Sequence, residues 1–280
     1  MAGKPKPGAK PLRIGHKGAD AIVTGNTLES FEAAVDVGVD VIEFDVLRDR
    51  DGRLVVAHDY EDALSRRAMD LTEALDAFRY APLDSVEFDC DLKLPGREAE
   101  LAGVLGGYGL IDRAMISTME VSSLFKLGRL EPDLRLGWTF PKTRRDWTSQ
   151  RWLRPAVLGG LALLRRQFPK AIGERAEQLG LTSVWAYHHV ITPRAVEAAR
   201  EAGVQLVAWT VDDPGQPAEL AKMGVDGLVS NDPRLFAGAE AVVEGKAPAP
   251  EPQEGDVMAE LDEEAEPSAE EVPDDQDERD

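Results

Sequence analysis

The sequence predicts an α/β domain whose parallel strands close into a (β/α)8 TIM barrel, followed by an acidic tail. Three observations carry this. Strand-like and helix-like segments alternate, giving about eight units between residues 12 and 237. The residues suited to acid/base and metal chemistry stand at the C-terminal ends of strand segments, where parallel barrels carry their sites. The composition changes near residue 240, which leaves before it a length close to that of one barrel, roughly 250 residues. An open doubly wound sheet would show a similar alternation and is the second choice.

The elements follow in order. Residues 12–16 form a short apolar strand, broken by the turn signal Lys17-Gly18. Residues 27–38 have helical spacing, with Asn26 or Thr27 as N-cap and Gly38 as C-cap. Residues 41–47 return to a period of two, with Ile42, Phe44 and Val46 on one face and Glu43, Asp45 and Leu47 on the other. Asp51-Gly52 is a hairpin signal, and the strand 53–58 after it ends at His58. Residues 86–93 alternate again, setting Asp89, Asp91 and Lys93 opposite Phe88, Cys90 and Leu92. Helix 97–105, strand 114–118, helix 121–129 and strand 134–140 come next. After the long segment 141–180 come strand 183–188, helix 193–202, strand 205–211, helix 216–222 and strand 227–230.

Two histidines and a carboxylate pair at strand ends suggest metal-assisted acid/base chemistry. Inward-facing carboxylates are costly to bury unless they are hydrogen-bonded, paired with a cation or bound to a metal. Hard cations such as Mg²⁺ and Ca²⁺ prefer oxygen donors, so Glu43, Asp45 and Asp91 form a three-carboxylate shell for one divalent cation, and Lys93 is placed to meet a phosphate. Each residue also has a plainer explanation: a strand-end histidine can cap a loop, and alternating acids can face solvent.

Taken together, His16-Lys17-Gly18, Asn26-Thr27, Glu43-Phe44-Asp45-Val46, Asp51-Gly52, Val55-Val56-Ala57-His58-Asp59, Asp91-Leu92-Lys93, Ala208-Trp209-Thr210-Val211 and Gly224-Val225-Asp226-Gly227 resemble the glycerophosphodiester phosphodiesterase family, in its order and over roughly residues 12–237. The resemblance implies a TIM barrel, a bound divalent cation and hydrolysis of glycerophosphodiesters to glycerol 3-phosphate and an alcohol. It puts the catalytic histidines at His16 and His58 and the metal ligands at Glu43, Asp45 and Asp91. Lys17, Lys93 and Trp209 are then expected to contact substrate, and Asn26 to orient the metal shell. His188 and His189, at another strand end, are candidates for the pocket lining.

Several positions depart from the family pattern. Lys17 stands in place of the usual arginine, which exchanges a bidentate fork for a point charge. Gly25 replaces a glutamate, Asp91 the commoner glutamate, and Asp212 and Asn231 stand where asparagine and aspartate are usual. Asp91 is also a feature of the related sphingomyelinase D branch, so lysophospholipase D or sphingomyelinase D-like action on lipid is an alternative. A non-catalytic barrel serving as a binding module is a third.

The chain has 280 residues, 43% of them hydrophobic, enough for one large core. From residue 240 onward aromatics vanish and 17 acids face 2 bases, so −15 of the net charge of −20 lies in this tail. Such a segment buries too little apolar surface to order itself and is expected to be disordered. The charge of −5 left on the domain argues against nucleic acid as a partner. The organisation expected is a flexible N-terminus over 1–11, the domain over 12–239 with a helical insertion at about 141–180, and the tail over 240–280. Cys90 is the only cysteine and the N-terminus lacks an apolar signal region, so a cytoplasmic location is expected. In the insertion, the apolar run 156–164 is flanked by Arg151, Arg154, Arg165 and Arg166 and preceded by Trp147 and Trp152. It is too short to span a bilayer, which needs roughly 20 residues. Segment 147–168 is therefore read either as a barrel helix or as a peripheral contact with membrane lipid.

Overall fold

In the computed structural model, which describes residues 10–142 and 154–237, the strand–helix alternation winds into a closed barrel. Strand β1 (Leu12–Gly15) leads through α1 (Leu28–Val37) to β2 (Val41–Arg48). An excursion follows, made of β3 (Leu54–Val56), α2 (Tyr60–Ser65), β4 (Met69–Asp70) and α3 (Leu71–Ala77). The barrel resumes with β5 (Glu87–Leu92), α4 (Glu98–Tyr108), β6 (Ala114–Thr118), α5 (Val121–Leu130) and β7 (Arg135–Phe140). It is completed by α6 (Arg154–Leu179), β8 (Ser183–Tyr187), α7 (Pro193–Ala202), β9 (Gln205–Trp209), α8 (Gln216–Met223) and β10 (Gly227–Ser230).

Eight strands pair in parallel in the order β1, β2, β5, β6, β7, β8, β9, β10, and β10 pairs back to β1 through Leu12↔Gly227 and Gly15↔Ser230. Closure excludes the open sheet. β3 and β4 stand outside the ring as an antiparallel ribbon on the end of β2, with Val46 opposite Val56 and Arg48 opposite Leu54. The strand expected over 53–58 therefore belongs to this ribbon, and it stops at Val56, two residues before His58. The elements α2, β4 and α3 were not anticipated, because helices of six or seven residues and a two-residue strand are too short to display a period.

The alternation along each strand builds two apolar layers. Phe31, Phe44, Phe78 and Phe88 lie between strands and helices, the last two with centroids 4.5 Å apart. Ile14, Val41, Met115, Trp185, Val207 and Val229 form a separate cluster, which fills the barrel. Gly137 makes room for it, since a Cβ there would lie 2.6 Å from Trp185 Nε1.

Helix α6 rests on the core through Phe168, Ile172 and Ala176, with Leu161 and Leu164 packed against the same cluster and Leu163 54% exposed. This part of the insertion is a barrel helix, and no helix among the described residues is long and apolar enough to cross a membrane. Trp147, Arg151 and Trp152 lie outside the described residues, as does the tail over 240–280. Of the expected flexible N-terminus only Lys10 and Pro11 are described, and Pro11 is already buried.

Candidate active site

The period-two face of β2 turns Glu43 and Asp45 into the barrel, and both are buried. In the parallel register Glu43 lies beside Asp89 and Asp45 beside Asp91, so the acids of β5 join them. Glu43, Asp45 and Asp91 each offer an oxygen within 4.8 Å of the others. Lys93, just beyond β5, reaches back across the cluster, with Nζ 2.5 Å from Asp45 Oδ1 and 2.6 Å from Asp91 Oδ2. The expected phosphate contact of Lys93 is thus preceded by an ion pair with two acids.

The loop after β1 wraps this cluster. Lys17 and Asn26 have positive φ, +50° and +58°, a conformation disfavoured for non-glycine residues and held here by hydrogen bonds. Lys17 N donates to Glu43 Oε2 at 2.9 Å, and Asn26 N donates to Lys17 O at 2.9 Å. Asn26 Nδ2 donates to Asp45 Oδ2 at 2.8 Å while Asp45 N donates to Asn26 Oδ1 at 3.1 Å, so one amide clamps both ends of this aspartate. Thr27, whose side chain accepts from Ser30 N, caps α1, which leaves the Asn26 side chain to Asp45. Gly25 donates its N–H to Asp20 Oδ1 at 2.7 Å, and a Cβ at this position would lie 2.5 Å from that oxygen. Asp20 fills the space of a side chain at 25 and also pairs with Lys17 Nζ at 3.2 Å.

His16 follows β1 directly. Its N donates to Ser230 O, its Nδ1 lies 2.6 Å from Asn231 Oδ1, and its Nε2 lies 3.9 Å from Glu43 Oε2. Asn231 is held in turn by Asp212, whose Oδ1 accepts from Asn231 N at 2.9 Å and whose Oδ2 accepts from Asn231 Nδ2 at 2.6 Å. His58 arrives from the ribbon: Ala57 N donates to Asp45 O at 3.2 Å, and the next residue's imidazole is half exposed, with Nδ1 3.3 Å from Asp59 Oδ2. Arg66 fastens the ribbon to the first loop through Val56 O and Asn26 O.

The electrostatics follow from burial. Burial and the neighbouring Asp45 push the Glu43 carboxyl well above its ordinary range. Burial acts the same way on Asp45, but Lys93 and the two histidines outweigh it and hold Asp45 far below the usual carboxylate range. Lys93 also loses to burial and gains more from Asp45 and Asp91, so it stays charged. Burial, then Lys17, lowers His16, which favours the neutral ring at pH 7. Asp89, fully buried and taking a hydrogen bond from Ser117 Oγ at 2.6 Å, is pushed up to about 8 by burial. Three converging carboxylates against one ammonium leave excess negative charge in a set of oxygen donors. This donor set fits a hard divalent cation, and Lys93 already places a positive charge across two of its members.

The opposite wall is aromatic. Tyr187 and Trp209, at the ends of β8 and β9, have centroids 5.6 Å apart, and Trp209 packs on the barrel-filling cluster. His188 packs tilted against Tyr187, His189 meets Tyr187 edge-on, and the two imidazoles lie tilted against each other, while Arg165 Nε donates to His189 O at 2.6 Å, joining this turn to α6. The fold thus gathers His16, Lys17, Asn26, Glu43, Asp45, Asp91 and Lys93 into one bonded network with His58 at its edge. The linkage of Asp212 and Asn231 to His16 was not foreseen; the signal was available in their paired departure from the family pattern just after two neighbouring strands, β9 and β10.

The sequence matches the Glycerophosphoryl diester phosphodiesterase family over residues 16–101 and 100–235. A glycerophosphodiester phosphodiesterase of Caldanaerobacter subterraneus subsp. tengcongensis is 25% identical over 259 residues, covering 81% of this chain and 96% of its own. Among solved structures, a glycerophosphodiester phosphodiesterase from Parabacteroides distasonis superposes with a TM-score of 0.64 at 19% identity, covering 87% of this chain and 100% of that one. An Oleispira antarctica phosphodiesterase, solved in complex with the product sn-glycerol-3-phosphate, superposes with a TM-score of 0.60 at 19% identity over 82% and 96% of the two chains.

Proposed function

The chain belongs to the glycerophosphoryl diester phosphodiesterase family, and from that premise we propose how its residues hydrolyse a glycerophosphodiester to glycerol 3-phosphate and an alcohol. The observation that carries the reading is the convergence of Glu43, Asp45 and Asp91 beside His16. These three acids would hold one divalent cation, Mg²⁺ or Ca²⁺. When bound, the cation neutralises charge on the phosphate and its transition state.

The chain's own groups do the rest. His16, neutral through burial and with Nε2 facing the cluster, takes the proton of the nucleophile that attacks phosphorus, either water, which gives glycerol 3-phosphate directly, or the glycerol 2-hydroxyl, which gives a cyclic phosphate that water opens in a second step. His58, half exposed at the rim, gives a proton to the departing alkoxide as the bond from phosphorus to that oxygen breaks. Lys17 and Lys93 add positive charge where negative charge grows on the phosphoryl oxygens. Asn26 keeps the Asp45 carboxylate in one orientation. Trp209 and Tyr187 form an apolar wall for the glycerol or the alcohol.

A second substrate class has its own support. Ile22, Tyr60 and Leu64 are exposed on the β1–α1 loop and on α2, the segments that follow His16 and His58, and exposed apolar side chains there suit the acyl chain of a lysophospholipid.

The test is release of the head-group alcohol with Mg²⁺, Ca²⁺ or chelator: choline with glycerol 3-phosphate from glycerophosphocholine, ethanolamine with glycerol 3-phosphate from glycerophosphoethanolamine, and choline with lysophosphatidic acid from lysophosphatidylcholine. His16→Ala and His58→Ala are each expected to lower the rate by roughly 10²–10⁴-fold with the fold intact. Full activity in either variant, or in chelator, defeats the corresponding assignment.

A further inference from the structure

Asp212 and Asn231 take no part in holding substrate or cation in the mechanism above, yet they form a continuous polar chain leading away from His16. Donor and acceptor chemistry along that chain leaves one arrangement. A carboxylate only accepts, and Asp212 lies 2.9 Å from Asn231 N and 2.6 Å from Asn231 Nδ2. The backbone and side-chain nitrogens of Asn231 therefore each donate to Asp212, and Ser230 Oγ donates a third hydrogen bond at 2.9 Å to Asp212 Oδ1. The Asn231 carbonyl must then be the group facing His16 Nδ1, at 2.6 Å. Turning the amide over would set its oxygen against a carboxylate oxygen at hydrogen-bond distance with no proton between them. A carbonyl accepts, so Nδ1 carries the hydrogen, and in the neutral ring the lone pair is on Nε2, the nitrogen 3.9 Å from Glu43 Oε2.

We infer that Asp212 and Asn231 are positioning residues, acting as one unit to fix His16 in the Nδ1–H form and to aim its Nε2 lone pair into the carboxylate cluster. This rests on His16 being the base of the proposed reaction. The backbone supports the arrangement: Ser230 is in register with Gly15, His16 N donates to Ser230 O at 2.9 Å, and Val211 N donates to Val229 O at 2.8 Å, so both ends of the chain are pinned to β10, one from the β1 side and one from the β9 side. Asp212 is exposed, so solvent screens its charge, and its contribution is direction more than field. The exchange of the residue types usual at the two positions follows from this coupling. Asn231→Asp alone would bring two carboxylates together at the 2.6 Å contact, and Asp212→Asn alone would release the amide to turn. Exchanging both restores one donor and one acceptor at every link.

The experiment is ¹⁵N NMR of the His16 ring in the full-length protein at a pH where the ring is neutral, combined with steady-state kinetics on glycerophosphocholine. The wild type is expected to show protonated Nδ1 and unprotonated Nε2. Asp212→Asn, at an exposed site that leaves the core alone, should populate the other tautomer and lower kcat by about 10²-fold with KM changed less than about threefold, as when an orienting partner of a catalytic histidine is lost. Asp212→Asn/Asn231→Asp should recover the wild-type ring signals and most of kcat, exceeding Asp212→Asn alone. A wild-type ring with Nε2 protonated, an unchanged tautomer in Asp212→Asn, or a double variant no better than the single one overturns the inference. If the ring signals behave as expected while His16→Ala keeps full activity, the assignment of His16 as base is what fails, and the positioning of the ring stands.

Discussion

Asp89 sits one step below the candidate cation site, between Glu43 on β2 and Met115 on β6, with no exposure and a carboxyl pushed up to about 8. Burial is the chief cause; Asp91 adds to it, and the Ser117 hydroxyl and Arg135 partly oppose it. An acid whose folded pKa is raised keeps its proton in the native state while the unfolded chain, ordinary for aspartate, loses it near pH 4. Native stability is therefore lost as pH rises from about 4 to about 8, by about 1.4 kcal/mol per pH unit, and is unaffected by this group below that window. Integrated to pH 7 the penalty is on the order of 4 kcal/mol, and between pH 5 and pH 8 it grows by on the order of 3 kcal/mol. Asp89→Asn replaces the neutral acid by a group of the same shape that still accepts from Ser117 Oγ. Urea unfolding of wild type and variant at pH 5, 7 and 8.5, with chelator present to keep cation charge out of the site, should show the variant gaining on the wild type as pH rises. A difference that stays flat across this range, or one that turns against the variant at pH 8.5, would falsify the reasoning.

Three other outcomes follow from the geometry. Gly25→Glu, which restores the residue usual in the family, is expected to destabilise the first loop and reduce activity, because its Cβ meets Asp20 Oδ1 at 2.5 Å and Lys17 Cβ at 2.7 Å; adding Asp20→Ala should recover part of the loss, and equal activity in the single and double variants would refute this. Arg113 donates to Phe78 O, Leu83 O and Val86 O at 2.6, 2.6 and 2.5 Å, so Arg113→Met should cost about 2–4 kcal/mol in urea unfolding by leaving three carbonyls without their donor, and a loss under about 0.5 kcal/mol would show that water replaces it. If α6 touches lipid, Leu163→Glu, at the exposed position, should weaken co-sedimentation with anionic liposomes, whereas unchanged sedimentation assigns α6 to the barrel alone.

Much of the fold is legible in the chain because each barrel segment carries its own local signal. Strands over 114–118 and 227–230 and the helix over 193–202 have the bounds read from pattern alone; Thr192 and Gly203 cap the helix, and Gly227 opens the last strand. The excursion between β2 and β5 is the exception, as its short elements take their shape from packing on the barrel and from the Arg113 contacts. The same limit applies to Leu161 and Leu164: their apolar run fits a core face and also a lipid face, and only the packed structure shows them against the core.

By itself the sequence determined which side chains share a face. The period of two along β2 and β5 puts Glu43 with Asp45, and Asp89 with Asp91, on one face of each strand whatever their neighbours, because pleating is a property of the strand backbone. The tertiary structure alone decided what those side chains meet. The parallel register puts Asp45 beside Asp91, and the ion pairs to Lys93, the Asn26 clamp and the Asp212–Asn231–His16 chain join residues as far as 215 positions apart. Ionisation and donor direction depend on atoms brought within about 3 Å by barrel closure, and no local pattern encodes such distances.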